Sequence, residues 1–265
     1  MIIDVHAHAF PDSLAPKAMS SLTNASGDYR PFGDGTVASL LSGMDAAGID
    51  RAFIANIATR PAQVGSILEW SLEARSDRVL PLASAHPESP AFAEEIARFR
   101  EAGFSGVKLH PQYQNFNLDD ARVLPFFREL EKSGMFVLLH AGFDIAYPGA
   151  DNAAPTRMRA LLDRVPDLEV IAAHLGGWND WEAVERDLAG AKCLFDTSFI
   201  AHVEPRLRDR IIDRHGADRI VFGSDFPWQP LAPQLDLVRS LPLPAADIEK
   251  ILGGNAAALL RRHGD

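Results

Sequence analysis

The chain has 265 residues, 47% hydrophobic and 23% charged, which excludes a disordered or fibrous protein and suits one large α/β barrel or two ordinary domains. Its 36 acidic residues outnumber 26 basic ones, for a formal charge of −10, so nucleic acid and anionic membranes are repelled and a small-molecule substrate is expected. Cys193 is the single cysteine. It leaves no intramolecular disulfide or thiolate zinc cluster and suits a reducing, cytoplasmic setting. No run approaches the roughly 20 apolar residues of a membrane span, and the opening Met1-Ile2-Ile3-Asp4 lacks the basic and apolar regions of a secretory signal.

Short apolar, β-branched runs alternate with helical periodicity along the chain. The first expected units are strand 2–8, helix 36–47, strand 51–57, helix 63–75, strand 79–85, helix 91–102, strand 105–110 and helix 120–133. Strand 136–141, helix 156–165, strand 169–175, helix 181–188, strand 193–198, helix 205–215, strand 219–225 and helix 235–240 follow. Gly103, Gly134 and Gly216 fall just past helix ends and before strands, where a left-handed residue stops a helix at little cost. Repeated βα units imply a parallel sheet, and eight of them favour a closed (β/α)8 TIM barrel, of class α/β, over a doubly wound fold. No GxGxxG turn follows the first strand. Segment 9–35 reads as a long loop over the barrel mouth, and 244–263 as a helical pair closing the barrel, so residues 1–265 are expected to form one domain.

Of nine histidines, His6, His8, His110, His140 and His174 end predicted strands, with His86 and His202 just beyond two others. Strand ends of such a barrel converge on one face, so these imidazoles are candidates for a common site. His215 and His263 precede glycine at helix ends, where a cation at the negative pole of the helix dipole suffices. Asp4-Val5-His6-Ala7-His8 places two imidazoles at i and i+2, on one face of a strand. The same parity turns Lys108 and His110 inward together in Gly106-Val107-Lys108-Leu109-His110. Gly223-Ser224-Asp225-Phe226-Pro227-Trp228 ends the last strand with a carboxylate able to ligate a metal and accept a proton. Asp196-Thr197-Ser198 either ends its strand or orients a ligand histidine. Phe143, Tyr147, Trp178, Phe199 and Trp228 form a candidate apolar wall, with Lys108, His110, Trp178 and Trp228 as the substrate contacts.

This ordered set resembles the amidohydrolase superfamily, in particular the amidohydrolase-related group that includes aminocarboxymuconate semialdehyde decarboxylase, along essentially the whole chain. The resemblance implies one divalent ion, usually zinc with manganese as an alternative, held by His6, His8, His140 and Asp225. It sets His174 beside the ion as a catalytic residue together with Asp225. A second ion would require carboxylation of Lys108. Activated water attacking an ester, lactone or amide is the first expectation. Nonoxidative decarboxylation of an unsaturated or aromatic acid is the alternative, with Lys108, Arg60 or Lys17 as the carboxylate contact. A noncatalytic metal-binding barrel is the third, and a homo-oligomer is compatible with each.

Overall fold

Each apolar run becomes a strand pairing in parallel with its neighbours in sequence. In the computed structural model, which describes residues 1–264 apart from positions 26 and 28, the strands are β1 (Ile3–Ala7), β2 (Arg51–Ile54), β3 (Val79–Pro81, resuming at Ala83–Ser84), β4 (Gly106–Leu109), β5 (Phe136–Leu139), β6 (Val170–Ala172), β7 (Leu194–Asp196) and β8 (Ile220–Val221). β3 pairs with β2 through its first part and with β4 through its second, while Leu82 N donates to Ile54 O at 2.9 Å. The ring closes between β8 and β1, where Val5 N donates to Phe222 O at 2.9 Å and His8 N to Phe226 O at 2.7 Å. The fold is the expected α/β TIM barrel.

The helices are α1 (Ala15–Ala25), α2 (Val37–Ala47), α3 (Val64–Ala74), α4 (Phe92–Glu101), α5 (Leu124–Ser133) and α6 (Pro155–Arg164). After them come α7 (Trp181–Ala183, running into a π turn at Val184–Leu188), α8 (Pro205–His215), α9 (Leu231–Arg239), α10 (Ala245–Glu249) and α11 (Asn255–His263). Local signals set several ends. Thr36 caps α2 by accepting from Ser39 N at 3.0 Å, and Gly48 closes it at φ 74°. Segment 9–35 carries α1, so it is not the plain loop its composition suggests; positions 26 and 28 within it lie outside the described residues.

Strand parity divides the core in two. Val107, Leu109, Val137 and Leu139 pack outward against the helices, while Ile3, Val5, Phe53, Phe136, Leu138 and Ile171 fill the barrel interior. Ala256, Leu259 and Leu260 of α11 join that interior cluster, which seals the end of the barrel opposite the site. No helix among the described residues is long and apolar enough to cross a membrane.

His215 departs from the sequence reading. It is fully buried, stacked on Phe195 with ring centroids 3.7 Å apart, and accepts from Gly190 N at 3.1 Å while Nε2 donates to Cys193 O at 3.0 Å. Burial, helped by the Arg219 guanidinium, pushes its pKa down to about 4. It is therefore a neutral core residue tying α8 to β7, where the sequence suggested a charged cap. His263 does sit at a helix end, held by Glu169 Oε2 and Gly134 O.

Candidate active site

The site forms where the strands end, and several backbone devices aim its side chains. On β1 both Ile3 and Val5 belong to the interior cluster, yet His6 and His8 line the cavity. One break in alternation is therefore needed, and the pairing of β1 with β2 shifts register between Asp4 and Ala7. Asp4 pins this segment to β8, accepting from Ser224 Oγ at 2.5 Å, Ser224 N at 3.0 Å and His6 N at 3.0 Å. Burial lifts its carboxyl to about 7 against those hydrogen bonds.

Gly223 makes room for this arrangement. A Cβ there would lie 2.9 Å from Asp196 Cβ and 3.1 Å from His6 Cβ, so only glycine lets the two side chains meet. His174 and Asp225 have left-handed backbones, with φ of 60° each. Ala173 belongs to the interior cluster, so plain alternation would turn His174 away, and its left-handed turn brings it back to the cavity. Such non-glycine conformations cost about 1–3 kcal/mol and persist where surrounding packing holds them.

Hydrogen bonds then fix each imidazole tautomer. Asp196 Oδ2 takes the Nδ1 proton of His6 at 2.8 Å, leaving Nε2 as a lone pair. The Ser198 hydroxyl donates to Asp196 Oδ1 and accepts from His174 Nδ1 at 2.7 Å, which leaves His174 Nε2 bare. His140 Nε2 donates to Phe143 O at 2.9 Å, leaving its Nδ1 bare. Burial, foremost among several causes, holds His6, His140 and His174 well below the usual imidazole range, so all three are neutral. His140 Nδ1 and His174 Nε2 thus face each other as two acceptors 3.1 Å apart.

Asp225 Oδ1 is buried without a hydrogen-bond partner, 2.9 Å from His8 Nε2 and 3.6 Å from His6 Nε2. His6, His8 and Asp225 each present a ligand atom within 4.8 Å of the others. Imidazole nitrogens around a carboxylate oxygen are the donor chemistry of a divalent cation. His140 lines the same cavity, but its ring contacts are His110 at 3.9 Å and His174 at 4.9 Å rather than this triad.

Lys108 is 1% exposed and reaches His6 Nε2 at 3.0 Å. Burial pulls its ammonium down to about 8 against the attraction of Asp225 and Asp196. His110, the next inward residue, stacks on His140 at 3.9 Å and lies 3.2 Å from Asp144 Oδ2. Trp178 and Trp228 line the cavity with Phe143 and Phe199, whereas Tyr147 does not and packs against Tyr113 at 5.0 Å. Arg60 and Lys17 are exposed, and His86 and His202 stay outside the lining.

Tyr29, Tyr113, Asn56, Thr59 and Asp144 also line the cavity, and sequence reasoning missed all five. They sit in loops or just past strands, without the strand-end histidine signal. Tyr29 meets Trp178, Phe199 and His202 at 5.9–6.5 Å, extending the aromatic wall from the segment after α1.

Comparisons agree with this architecture. The family model described as amidohydrolase matches residues 3–262, and the chain belongs to that family of enzymes. No curated protein matches the sequence. An uncharacterised TIM-barrel protein from Bordetella bronchiseptica is 21% identical, with a TM-score of 0.76 over 100% of this chain and 99% of that one. The 2,6-dihydroxybenzoate decarboxylase from Rhizobium is 18% identical, with a TM-score of 0.69 and 98% of each chain covered. The 5-carboxyvanillate decarboxylase from Novosphingobium aromaticivorans, solved with manganese and 3-methoxy-4-hydroxy-5-nitrobenzoic acid, is 16% identical, with a TM-score of 0.74 over 98% of this chain and 97% of that one.

Proposed function

We propose that this enzyme removes the carboxyl group of a small aromatic or unsaturated carboxylic acid without oxidation, using a divalent cation. The observation that carries the reading is the cavity of about 230 Å³, whose lining joins the polar group His6, His8, His174, Lys108 and Asp225 to the aromatic side chains of Tyr29, Phe143, Trp178, Phe199 and Trp228. A planar acid fits with its carboxylate at the polar group and its ring between the aromatic side chains. The likeness to two decarboxylases of aromatic acids supports this over hydrolysis, the first expectation from the sequence.

His6, His8 and Asp225 would hold the cation, with His140 Nδ1 as the further nitrogen donor that the resemblance assigns. Zinc is the metal of the resemblance, and manganese is the one bound in a structural neighbour. When bound, the ion supplies positive charge that fixes the substrate carboxylate. The Lys108 ammonium provides the second charge for that group. Asp196 holds His6 in one tautomer directly, and it supports His174 through Ser198.

The reaction exchanges a carbon–carbon bond for a carbon–hydrogen bond. A proton from solvent, held at His174 Nε2, passes to the ring carbon bearing the carboxylate. That carbon then expels carbon dioxide, the electrons of the broken bond returning to the ring. The Ser198–Asp196 pair stabilises the imidazolium form of His174, as an oriented carboxylate does for a general acid–base histidine. The aromatic walls exclude water from the reacting carbon.

Incubating manganese-loaded and zinc-loaded enzyme with a panel of hydroxylated benzoic acids tests the reading through carbon dioxide release. Release that is lost in Asp225→Asn supports it. Turnover confined to esters, lactones or amides, with no carbon dioxide from any acid, returns the site to hydrolysis, for which Asp225 and His174 are equally well placed.

A further inference from the structure

His174 leaves its strand on a backbone that needs support from its surroundings. His174, Leu175 and Asn179 are left-handed without being glycine, with φ of 60°, 54° and 56°, and Gly176 continues the turn at 86°. Such conformations persist where the surrounding structure over-determines them. On the barrel side, His174 N–H donates to Asp196 Oδ1 and Leu175 N–H to Asp196 O, both at 2.9 Å. Within the segment, Gly177 N–H donates to His174 O at 3.2 Å and closes a turn.

A second donor reaches the same carbonyl from outside the barrel. The indole Nε1–H of Trp181, the first residue of α7, donates to His174 O at 3.0 Å. Trp181 is 7% exposed and belongs to the core cluster between strands and helices, so its hold on the carbonyl is anchored in packed side chains. The segment from His174 to Trp181 is thereby closed on itself. It carries Trp178, which lines the cavity and is tied to the chain after β5: Trp178 N–H donates to Ala141 O at 2.8 Å, and Phe143 N–H to Trp178 O at 2.9 Å.

From this closure we infer that Trp181 is a positioning residue for the reaction, its indole N–H holding the left-handed turn so that His174 Nε2 meets the reacting carbon at a fixed place beside the aromatic wall. The inference rests on the role proposed for His174 as proton donor. Trp181 is not among the described lining residues, so its effect on the reaction passes through His174. Ser198 restrains the other end of that residue, at ring Nδ1. Loss of the indole N–H therefore leaves the tautomer set and changes where Nε2 points. A buried indole needs an acceptor in any case, and a bond that serves packing alone predicts lower stability with nothing particular to His174.

Site-specific replacement of Trp181 by 3-benzothienylalanine keeps the shape of the ring and removes the donor, and Trp181→Phe is the second variant. Both are assayed as the manganese-loaded full chain, with whichever hydroxylated benzoic acid releases carbon dioxide. kcat should fall about 10–100-fold, the scale of a small misplacement of a reacting group. KM and manganese affinity should stay within about twofold of wild type, because other residues hold the carboxylate and the cation. In a His174→Asn background the same replacement should change kcat by less than about twofold, since the side chain it positions is gone. Equal losses in both backgrounds, an unchanged kcat, or a loss shared by KM and metal affinity overturns the assignment. Histidine ring signals in the NMR spectrum of isotope-labelled protein read the same contact without turnover: those of His174 should move and those of His215 should not. An acid panel that yields no carbon dioxide from the wild type ends the decarboxylase reading by itself. The His174 signal then decides for Trp181, a moved signal sustaining the assignment and an unmoved one overturning it.

Discussion

Replacing His215 by phenylalanine tests the claim that a neutral imidazole supports β7 beneath the site. Phe195 stacks on that imidazole and precedes Asp196, the carboxylate that orients His6. The folded pKa of about 4 lies below the ordinary 6.5. The unfolded chain therefore binds the proton more readily, and stability is full above pH 6.5 and lost as pH falls toward 4. Between pH 7 and pH 5 the linkage amounts to about 2 kcal/mol from this one group. Phenylalanine keeps the stack but abandons Gly190 N–H and Cys193 C=O, each costing about 1–3 kcal/mol when left unpaired. The variant should thus be less stable than wild type at pH 7, and the gap should narrow by about 2 kcal/mol at pH 5 as the wild type loses its advantage. Urea titrations of both proteins at pH 5, 6 and 7, followed by tryptophan fluorescence, read the difference directly. Parallel pH dependences, with a constant gap, would refute the reasoning.

Other outcomes concern the site. Manganese or zinc at 100 times its dissociation constant should stabilise the wild type by about 2.7 kcal/mol, and Asp225→Asn should lose that gain in a thermal-shift titration. Asp196→Asn keeps the shape but not the charge that fixes His6 Nδ1–H; metal affinity measured by competition with a chelating dye should fall about 10–100-fold. His174→Asn should leave metal content unchanged while lowering kcat by about 10²–10⁴-fold, and simultaneous loss of metal would instead make it a ligand. Lys108→Met should raise KM for the acid substrate by about 10–100-fold, the value of a charge-assisted hydrogen bond of about 1.5–3 kcal/mol, with metal binding retained.

Much of the architecture is local and so was legible in sequence. Strand and helix periodicities and the glycines past helix ends act within a few residues, and the eight βα units follow from them. Barrel geometry then brings Lys108, His110 and His140 to one cavity by strand parity, a local property, while His6, His8 and Asp225 join them there through a register shift and a left-handed backbone. The Asp196-Thr197-Ser198 segment hinted at its orienting role without revealing its partners, His6 and His174.

What sequence could not decide depends on contacts between distant segments. Period-two alternation would turn His174 outward, and only packing that sustains its left-handed backbone turns it in. Gly223 looked like an ordinary strand residue until Asp196 and His6 converged over it. His86 and His202 carried the same local signal as the site histidines yet remain outside the lining, while His215, read as a cap, is enclosed by β7 and α8. Asn56, Asp144 and Tyr29 enter the cavity from three separate connections. Burial and loss of hydrogen-bond partners are properties of the assembled surroundings, so it took the tertiary structure to expose the unpaired oxygens of Asn56 and Asp225.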